Sequence, residues 1–275
     1  MKIIRNHDKL YLKENRYKKP KEIFKFVYDL VKKSNHNKNK KVIADFGCAA
    51  GEFLFFLKSK INYNCKLIGL DIDNSLLKRA RKKVKDVIFL KQNILKRDKK
   101  YKNFSDISIC IGVISIFDDF YKVINNLIFF TKKSLKKRQT GGGGVIILHF
   151  LSNDFNFDVN IKYSSSIFFK NFENYNRDKF AKFSKKNFSF YKKYLYKNRL
   201  YQSGWNVLSK ASMKNYLEYH PQVKKFTFHD FKINRNISPH KEDPIRSWTF
   251  KYNNRTEITN GLGLIQNHCF AIIEL

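Results

Sequence analysis

Two short stretches place acids and glycines where together they can hold a polar ligand. In Val42-Ile-Ala-Asp-Phe-Gly-Cys-Ala-Ala-Gly-Glu-Phe-Leu, an apolar run leads to Asp45, glycines follow at Gly47 and Gly51, and an apolar helical pattern starts at once. Glycine at such a strand-to-helix turn leaves bare backbone against a ligand, and the helix behind it begins with unbonded N–H groups. The spacing Asp-x-Gly-x-x-x-Gly differs from the Gly-x-Gly-x-x-Gly of nicotinamide-binding turns. The second stretch, Leu67-Ile-Gly-Leu-Asp-Ile-Asp, ends in Asp71, about 20 residues past the last loop glycine, the interval at which an acid accepts hydrogen bonds from ribose hydroxyls. Further on, His149 closes Val145-Ile-Ile-Leu-His and Asp154 follows just past it. Both stand where the carboxyl ends of parallel strands bind ligands, and both are candidate general bases.

These positions need a scaffold, and the apolar pattern supplies one. A helical stripe of Ile23, Phe24, Phe26, Val27, Leu30 and Val31 comes first. Short apolar runs then alternate with helical ones: 42–46, helix 52–60, 67–70, helix 74–84, 87–90, 107–113, helix 119–137, and 145–150. Such alternation predicts an α/β fold with a parallel sheet. After Leu151 it breaks into a Phe, Tyr and Lys-rich stretch without strand periodicity. A helix over 209–219, a strand over 224–233, a polar loop and a last strand over 267–275 close the chain. The expected organisation is an N-terminal helical segment at 1–40, a ligand-binding core at 41–151, an inserted cap at 152–204, and closing elements of the same domain at 205–275.

With loop, acid and strands in this order, the sequence resembles the class I S-adenosylmethionine-dependent methyltransferases. The resemblance covers about residues 40–151 well and the closing elements more loosely. It implies a Rossmann-like, doubly wound, seven-stranded sheet with S-adenosyl-L-methionine as cofactor. Residue by residue, it implies Asp45, Gly47, Cys48 and Gly51 as the loop at the methionine end, Asp71 at the ribose, and Ile72 against the adenine. Asn93, with Ile94 beside it, falls at the adenine-edge position usually held by Asp, and Gly112 lies near the tip of strand four. Ala49 replaces a frequent third glycine, which leaves less room around the loop. Asp73 and Asn74 read as helix caps.

Methyl transfer from a sulfonium is an in-line displacement, so a protein must chiefly align the acceptor and exclude water. Strand four ends in Cys-Ile-Gly-Val-Ile-Ser-Ile-Phe, without the Asn/Asp-Pro-Pro-aromatic motif of the enzymes that methylate amino groups of bases. Cys110 lies inside that strand rather than in a Pro-Cys loop. The segment from Arg246 to Gln266 resembles the ends of bacterial methyltransferases that accompany sugar and surface-polysaccharide synthesis. That implies transfer to a hydroxyl of a small polar acceptor, a saccharide or sugar-linked intermediate, on which Trp248 and Tyr252 could stack. Tyr11 and Tyr17 could fold over the cofactor.

The net charge of +33, from 56 basic and 23 acidic residues, admits a second reading, an RNA methyltransferase. Lysines from Lys162 to Lys193 interleave with Tyr163, Phe168, Phe169, Tyr175, Phe183 and Tyr191, a pattern that can neutralise phosphates and stack bases. Most basic residues are Lys, accompanied by abundant Asn, Ile, Phe and Tyr, so the charge also fits A/T-rich codon usage. No run reaches the length of a membrane helix. Charges at 1–11 interrupt any signal-peptide core, and Cys48, Cys65, Cys110 and Cys269 form no ligand cluster. Reduced thiols in a cytoplasmic protein are therefore expected, with no membrane insertion and no metal. His220, His229, His240 and His268 show no ligand spacing, and Gly141 to Gly144 read as a turn.

Overall fold

The computed structural model describes residues 16–35, 42–117, 119–133, 143–164, 202–233, 236–238, 247–252, 255–260 and 266–275. The chain divides into two compact units, Asn15–Asn160 with Asn206–Leu275, and Met1–Glu14 with Ile161–Trp205. Of the second unit, only 161–164 and 202–205 are described.

Helix α1 spans Glu22–Ser34 and is followed by β1 (Val42–Phe46), α2 (Glu52–Lys58), β2 (Lys66–Asp71), α3 (Asn74–Lys83), β3 (Ile88–Lys91), β4 (Ile107–Cys110), α4 (Phe120–Phe130) and β5 (Val145–Asn153). Then come β6 (Val159–Ser164), β7 (Gln202–Ser209), α5 (Lys210–Tyr219), β8 (Lys225–Phe231), β9 (Trp248–Tyr252), β10 (Arg255–Thr259) and β11 (Asn267–Glu274). Among the described residues the main path of the sheet runs β3-β2-β1-β4-β5-β11-β8, seven strands, with β7 paired to the end of β5, β6 paired to β7, and β9 with β10 as a separate hairpin. The first five strands of that path are parallel, and β11 is antiparallel to both neighbours. This is the Rossmann-like α/β sheet expected from the alternation.

Strand side chains alternate between faces, so the sheet builds two cores. On one face Ile43, Ile107, Ile109, Val145, Ile147 and Phe270 pack with Phe24, Val27, Leu30 and Val31 of α1 and with α2 and α3. On the other, Phe46, Leu148, Phe150, Cys269 and Ala271 pack with Val123, Ile124 and Leu127 of α4 and with Met213 and Leu217 of α5. Each fully buried Val, Leu, Ile, Phe or Met among them contributes about 1.5–3 kcal/mol, which holds α1 and α4 against the sheet.

Caps set the boundaries. The Asp73 carboxylate accepts from the N–H groups of Ser75 and Leu76 at the start of α3, as its position in the sequence suggests. The Ser209 hydroxyl accepts from Ala211 and Ser212 at the start of α5. At the amino edge Asp106 joins three strands: Val42 N–H donates to its Oδ2 (2.8 Å), and Lys132 Nζ lies 3.0 Å from its Oδ1. Its own N–H donates to Val42 O (2.8 Å), and its carbonyl accepts from Val145 N–H (2.9 Å).

Some boundaries differ from the pattern. Strand β4 stops at Cys110 rather than residue 113, because Gly112 turns with φ +68°. Helix α4 ends at Phe130 rather than 137, since Thr131 leaves it to bridge Ser105, its hydroxyl bonded to Ser108 Oγ and Leu127 O. Strands β6 and β7 lie within or across the stretch read as lacking strands, and a hairpin occupies 248–259 where a polar loop was expected. Among the described residues no helix is long and apolar enough to cross a membrane.

Candidate functional site

The two acid-glycine stretches form one hydrogen-bonded unit at the carboxyl edge of the sheet. After β1, Gly47 and Cys48 donate their N–H groups to Leu70 O of β2 (2.7 and 3.1 Å), and Gly51 donates to Cys48 O (2.9 Å). Gly47 and Gly51 both hold φ +79°, the left-handed region that only glycine enters without cost. A Cβ at Gly47 would run into Val113, and one at Gly51 would lie 2.9 Å from Phe89 Cζ. Ala49 also takes a positive φ, 48°. Its N–H donates to Asp71 Oδ2 (2.9 Å), while Asp73 N–H donates to Asp71 Oδ1 (2.8 Å). The acid at the tip of β2 thus clamps the turn after β1. Beside it Ile72 is 60% exposed, an apolar side chain held in the open.

Electrostatically, Arg81 reaches Cys48, but among the described residues no cation offsets a charge on Asp45. Burial, and then the neighbouring negative charge of Asp71, push the Asp45 carboxyl up to about 8, so it holds a proton at neutral pH. Cys48 is raised by burial, then by Asp45 and Asp71, and Cys110 is raised chiefly by burial. Both remain thiols and poor nucleophiles. A cationic ligand in the cradle would draw the Asp45 carboxyl back toward its charged form. With the bare turn, the ribose-type acid and the exposed Ile72, the residues present fit S-adenosylmethionine.

On the adenine side, Asn93 and Ile94 lie in the turn after β3. Gln92 N–H donates to Asp71 O (2.9 Å), tying this turn to β2. Asn93 Oδ1 accepts from Leu95 N–H (2.9 Å), which engages one lone pair of the oxygen expected at an exocyclic amine. Ile94 is buried, and its carbonyl accepts from Asn126 Nδ2 (2.7 Å).

The remaining site positions lie around β4 and β5. Gly112 has open space where a Cβ would be, and its N–H donates to His149 Nδ1 (3.0 Å). His149 is buried, and its Nε2 lies 2.9 Å from His268 Nδ1. Burial, then His268, hold it well below the ordinary imidazole range. With both ring nitrogens engaged, His149 presents no free lone pair to a substrate, so the geometry gives it a positioning place rather than that of a general base. Asp154 is largely exposed and pairs with Lys210 (3.2 Å), which also reaches Asp230 (3.0 Å). Phe155 and Phe157 follow it, both more than half exposed, with rings stacked at 5.5 Å and 16°.

Tyr17 lies against the glycine turn. Its hydroxyl donates to Ala50 O (2.5 Å), and its ring meets Phe55 edge-on. Trp248 is half-buried in the hairpin. Tyr11, Gly261, Gly263 and the cationic aromatic stretch 165–193 lie outside the described residues, as do the side chains of Tyr252, Lys162 and Tyr163. Among the described residues no group of three or more His, Cys, Asp or Glu could hold a metal.

Sequence reasoning passed over two participants. A Cβ on Gly69 would lie 2.7 Å from the Phe89 ring and 2.8 Å from Cys48 Sγ, so the bare strand there makes room for what supports the turn. The glycine was visible inside Leu67-Ile-Gly-Leu, but its neighbours were not. His268 became visible only through the register of β11 on β5.

A family model described as a methyltransferase domain matches residues 36–205. No curated protein matches the chain. Among solved structures, a protein of Pyrococcus horikoshii OT3 is similar at 14% identity and TM-score 0.48, covering 97% of this chain and 99% of that one. The magnesium protoporphyrin IX methyltransferase of Synechocystis PCC 6803 with bound SAM is similar at 11% identity and TM-score 0.45, covering 92% and 79%. The CMeT domain of the citrinin polyketide synthase gives 16% identity and TM-score 0.35, covering 42% of this chain and only 30% of that structure. At such identities and scores the individual likenesses carry no argument, and the family match does.

Proposed function

We propose, from the premise that this chain belongs to the methyltransferase-domain family and is an S-adenosylmethionine-dependent methyltransferase, that it methylates a hydroxyl of a small polar acceptor, a sugar or sugar-linked intermediate. When bound, S-adenosylmethionine supplies an electrophilic methyl that an oxygen lone pair displaces in line. Asp45, Gly47, Cys48 and Gly51 would hold its methionine end. Asp71 would take the ribose, Ile72, Asn93 and Ile94 the adenine, and Gly112 the edge facing the acceptor.

The acceptor reading rests on one observation. Beyond β5, at the ligand-binding edge, Phe155 and Phe157 expose two stacked rings. Exposed aromatic faces of this kind mark binding surfaces, and they suit the apolar face of a sugar ring. The hydroxyl proton is released as the ether forms, and we assign it to the solvent-facing carboxylate of Asp154. The four cysteines are free thiols, which supports a reducing, cytoplasmic setting.

The test offers methyl-labelled S-adenosylmethionine with free sugars, sugar nucleotides and RNA in parallel. Label in an alkali-stable ether on a saccharide is the expected product. Label only in RNA, or only in an ester or an amine, overturns the acceptor assignment.

A further inference from the structure

Two histidines far apart in sequence form a directed chain of hydrogen bonds. His149 of β5 pairs with Phe270 of β11. His268 lies two residues earlier on β11, so both rings stand on one face of the sheet. Their ring planes lie within 21° of each other, with centroids 5.1 Å apart. Gly112 N–H, at the tip of β4, reaches His149 Nδ1 at 3.0 Å, and His149 Nε2 reaches His268 Nδ1 at 2.9 Å.

Elementary valence fixes every proton in this chain. The Gly112 amide can only donate, so His149 Nδ1 holds a lone pair, and a neutral imidazole then carries its proton on Nε2. That N–H faces His268 Nδ1, which must accept. His268 therefore carries its own proton on Nε2. Among the described residues this last N–H, buried in the cofactor-free chain, meets no acceptor, and an unsatisfied buried donor is rare enough to call for a partner. A second proton on His268 would set N–H against N–H with His149. Burial alone already holds His268 down to about 4.

We propose that His268 Nε2–H is the donor that receives an oxygen of the methyl acceptor, with His149 as the positioning residue that sets its tautomer. This rests on the methyltransferase reading above and names what the acceptor must bring. His268 begins β11, antiparallel to β5, at the edge where β4 has already ended and the cofactor turn opens. A neutral donor in a dry place favours a neutral oxygen, hydroxyl or carbonyl, over a carboxylate or phosphate, whose charge would go uncompensated. Because His268 already carries the proton on Nε2, it takes none from the acceptor, and the hydroxyl proton leaves by another route.

The experiment reads ring nitrogen and proton resonances of the full chain labelled with 15N-histidine, with S-adenosylhomocysteine bound. His268→Gln and His149→Phe assign the signals. Both histidines are expected as Nε2–H tautomers that do not titrate between about pH 6 and pH 8. Glycerol, as a neutral polyhydroxyl probe, should shift the His268 Nε2 resonance, and equal acetate should not. In His149→Phe, His268 should become a mixture of tautomers while staying neutral across that range, since the burial that holds its pKa down remains. An Nδ1–H tautomer for His268 in the unmodified chain overturns the proposal. So does a resonance that glycerol leaves unmoved, as a trapped water would give, or one moved by acetate alone. S-adenosylmethionine binding by calorimetry on the same sample reports on the enzyme reading separately, since its loss would leave the tautomer result standing.

Discussion

Replacing Asp71 by Ala separates two jobs that one carboxylate performs. In the folded chain it accepts from Ala49 N–H at 2.9 Å and from Asp73 N–H at 2.8 Å. Hydrogen bonds to a charged group contribute about 1.5–3 kcal/mol each, and donors left unpaired cost about as much. Asp71 is half-buried, so water recovers part of this, and we expect the cofactor-free protein to lose about 2–4 kcal/mol. Losing its charge also relieves Asp45, but Asp45 is largely protonated at neutral pH, so that offset is small. A separate loss of about 1–3 kcal/mol in S-adenosylmethionine affinity, roughly 5- to 150-fold, follows if the carboxylate also holds the ribose hydroxyls. Asp71→Asn should fall between, since its oxygen can keep the Ala49 bond while its NH2 faces the donor of Asp73. Urea unfolding followed by circular dichroism reads the first quantity, and titration calorimetry the second. Stability unchanged in Asp71→Ala would show that the clamp on the turn is not made. Stability reduced with affinity intact would remove the ribose assignment and leave the clamp.

Gly69→Ala should destabilise by about 1–3 kcal/mol through overpacking against Phe89, and the penalty should shrink in a Phe89→Leu background; equal urea midpoints for wild type and Gly69→Ala would contradict the close approach. Ala49→Gly should stabilise the cofactor-free chain by up to about 1 kcal/mol, because relief of a left-handed alanine outweighs the added freedom of the unfolded chain; a lower midpoint would refute it. Asp45 binds its proton more tightly folded, near 8, than at its ordinary value of 3.8. That stability is complete below about pH 4 and is lost as pH rises toward about 8, with a slope of up to about 1.4 kcal/mol per pH unit. Urea midpoints across this range should fall in wild type relative to Asp45→Asn, and parallel curves would count against the buried acid.

The parts of this molecule that could be read from its sequence are those encoded locally. The apolar runs at 42–46, 67–70 and 145–150 are buried on both faces, so composition alone marked them. The Asp45 to Gly51 turn and Asp71 were legible because their spacing is short and their residue types rare in combination. The β9–β10 hairpin was missed because, although Trp248-Thr-Phe-Lys-Tyr alternates, Arg255-Thr-Glu-Ile-Thr carries one apolar residue and Asn253-Asn254 lacks the glycine of the strongest two-residue turns. What stayed hidden depends on pairings distant in sequence. That His149 meets His268 follows from the β5–β11 register across 119 residues, and no local pattern fixes it. The exposed position of Asp154 beside Lys210 likewise required α5 to be set next to the end of β5.

The Asp106 junction has a consequence for how the chain opens. Val42, Asp106, Lys132 and Val145 are joined there by four bonds, so none of β1, β4 or β5 can fray at its amino end without releasing the others. At the opposite end the same strands run out into Gly47, Gly112 and the exposed residues after Asn153. Amide exchange should therefore be graded along each strand, slow at the junction and fast near the ligand edge, so that excursions of the binding region leave the rest closed. Each strand is, in effect, fastened to its neighbours at its start, while its tip is held only by the turns and side chains that line the ligand edge.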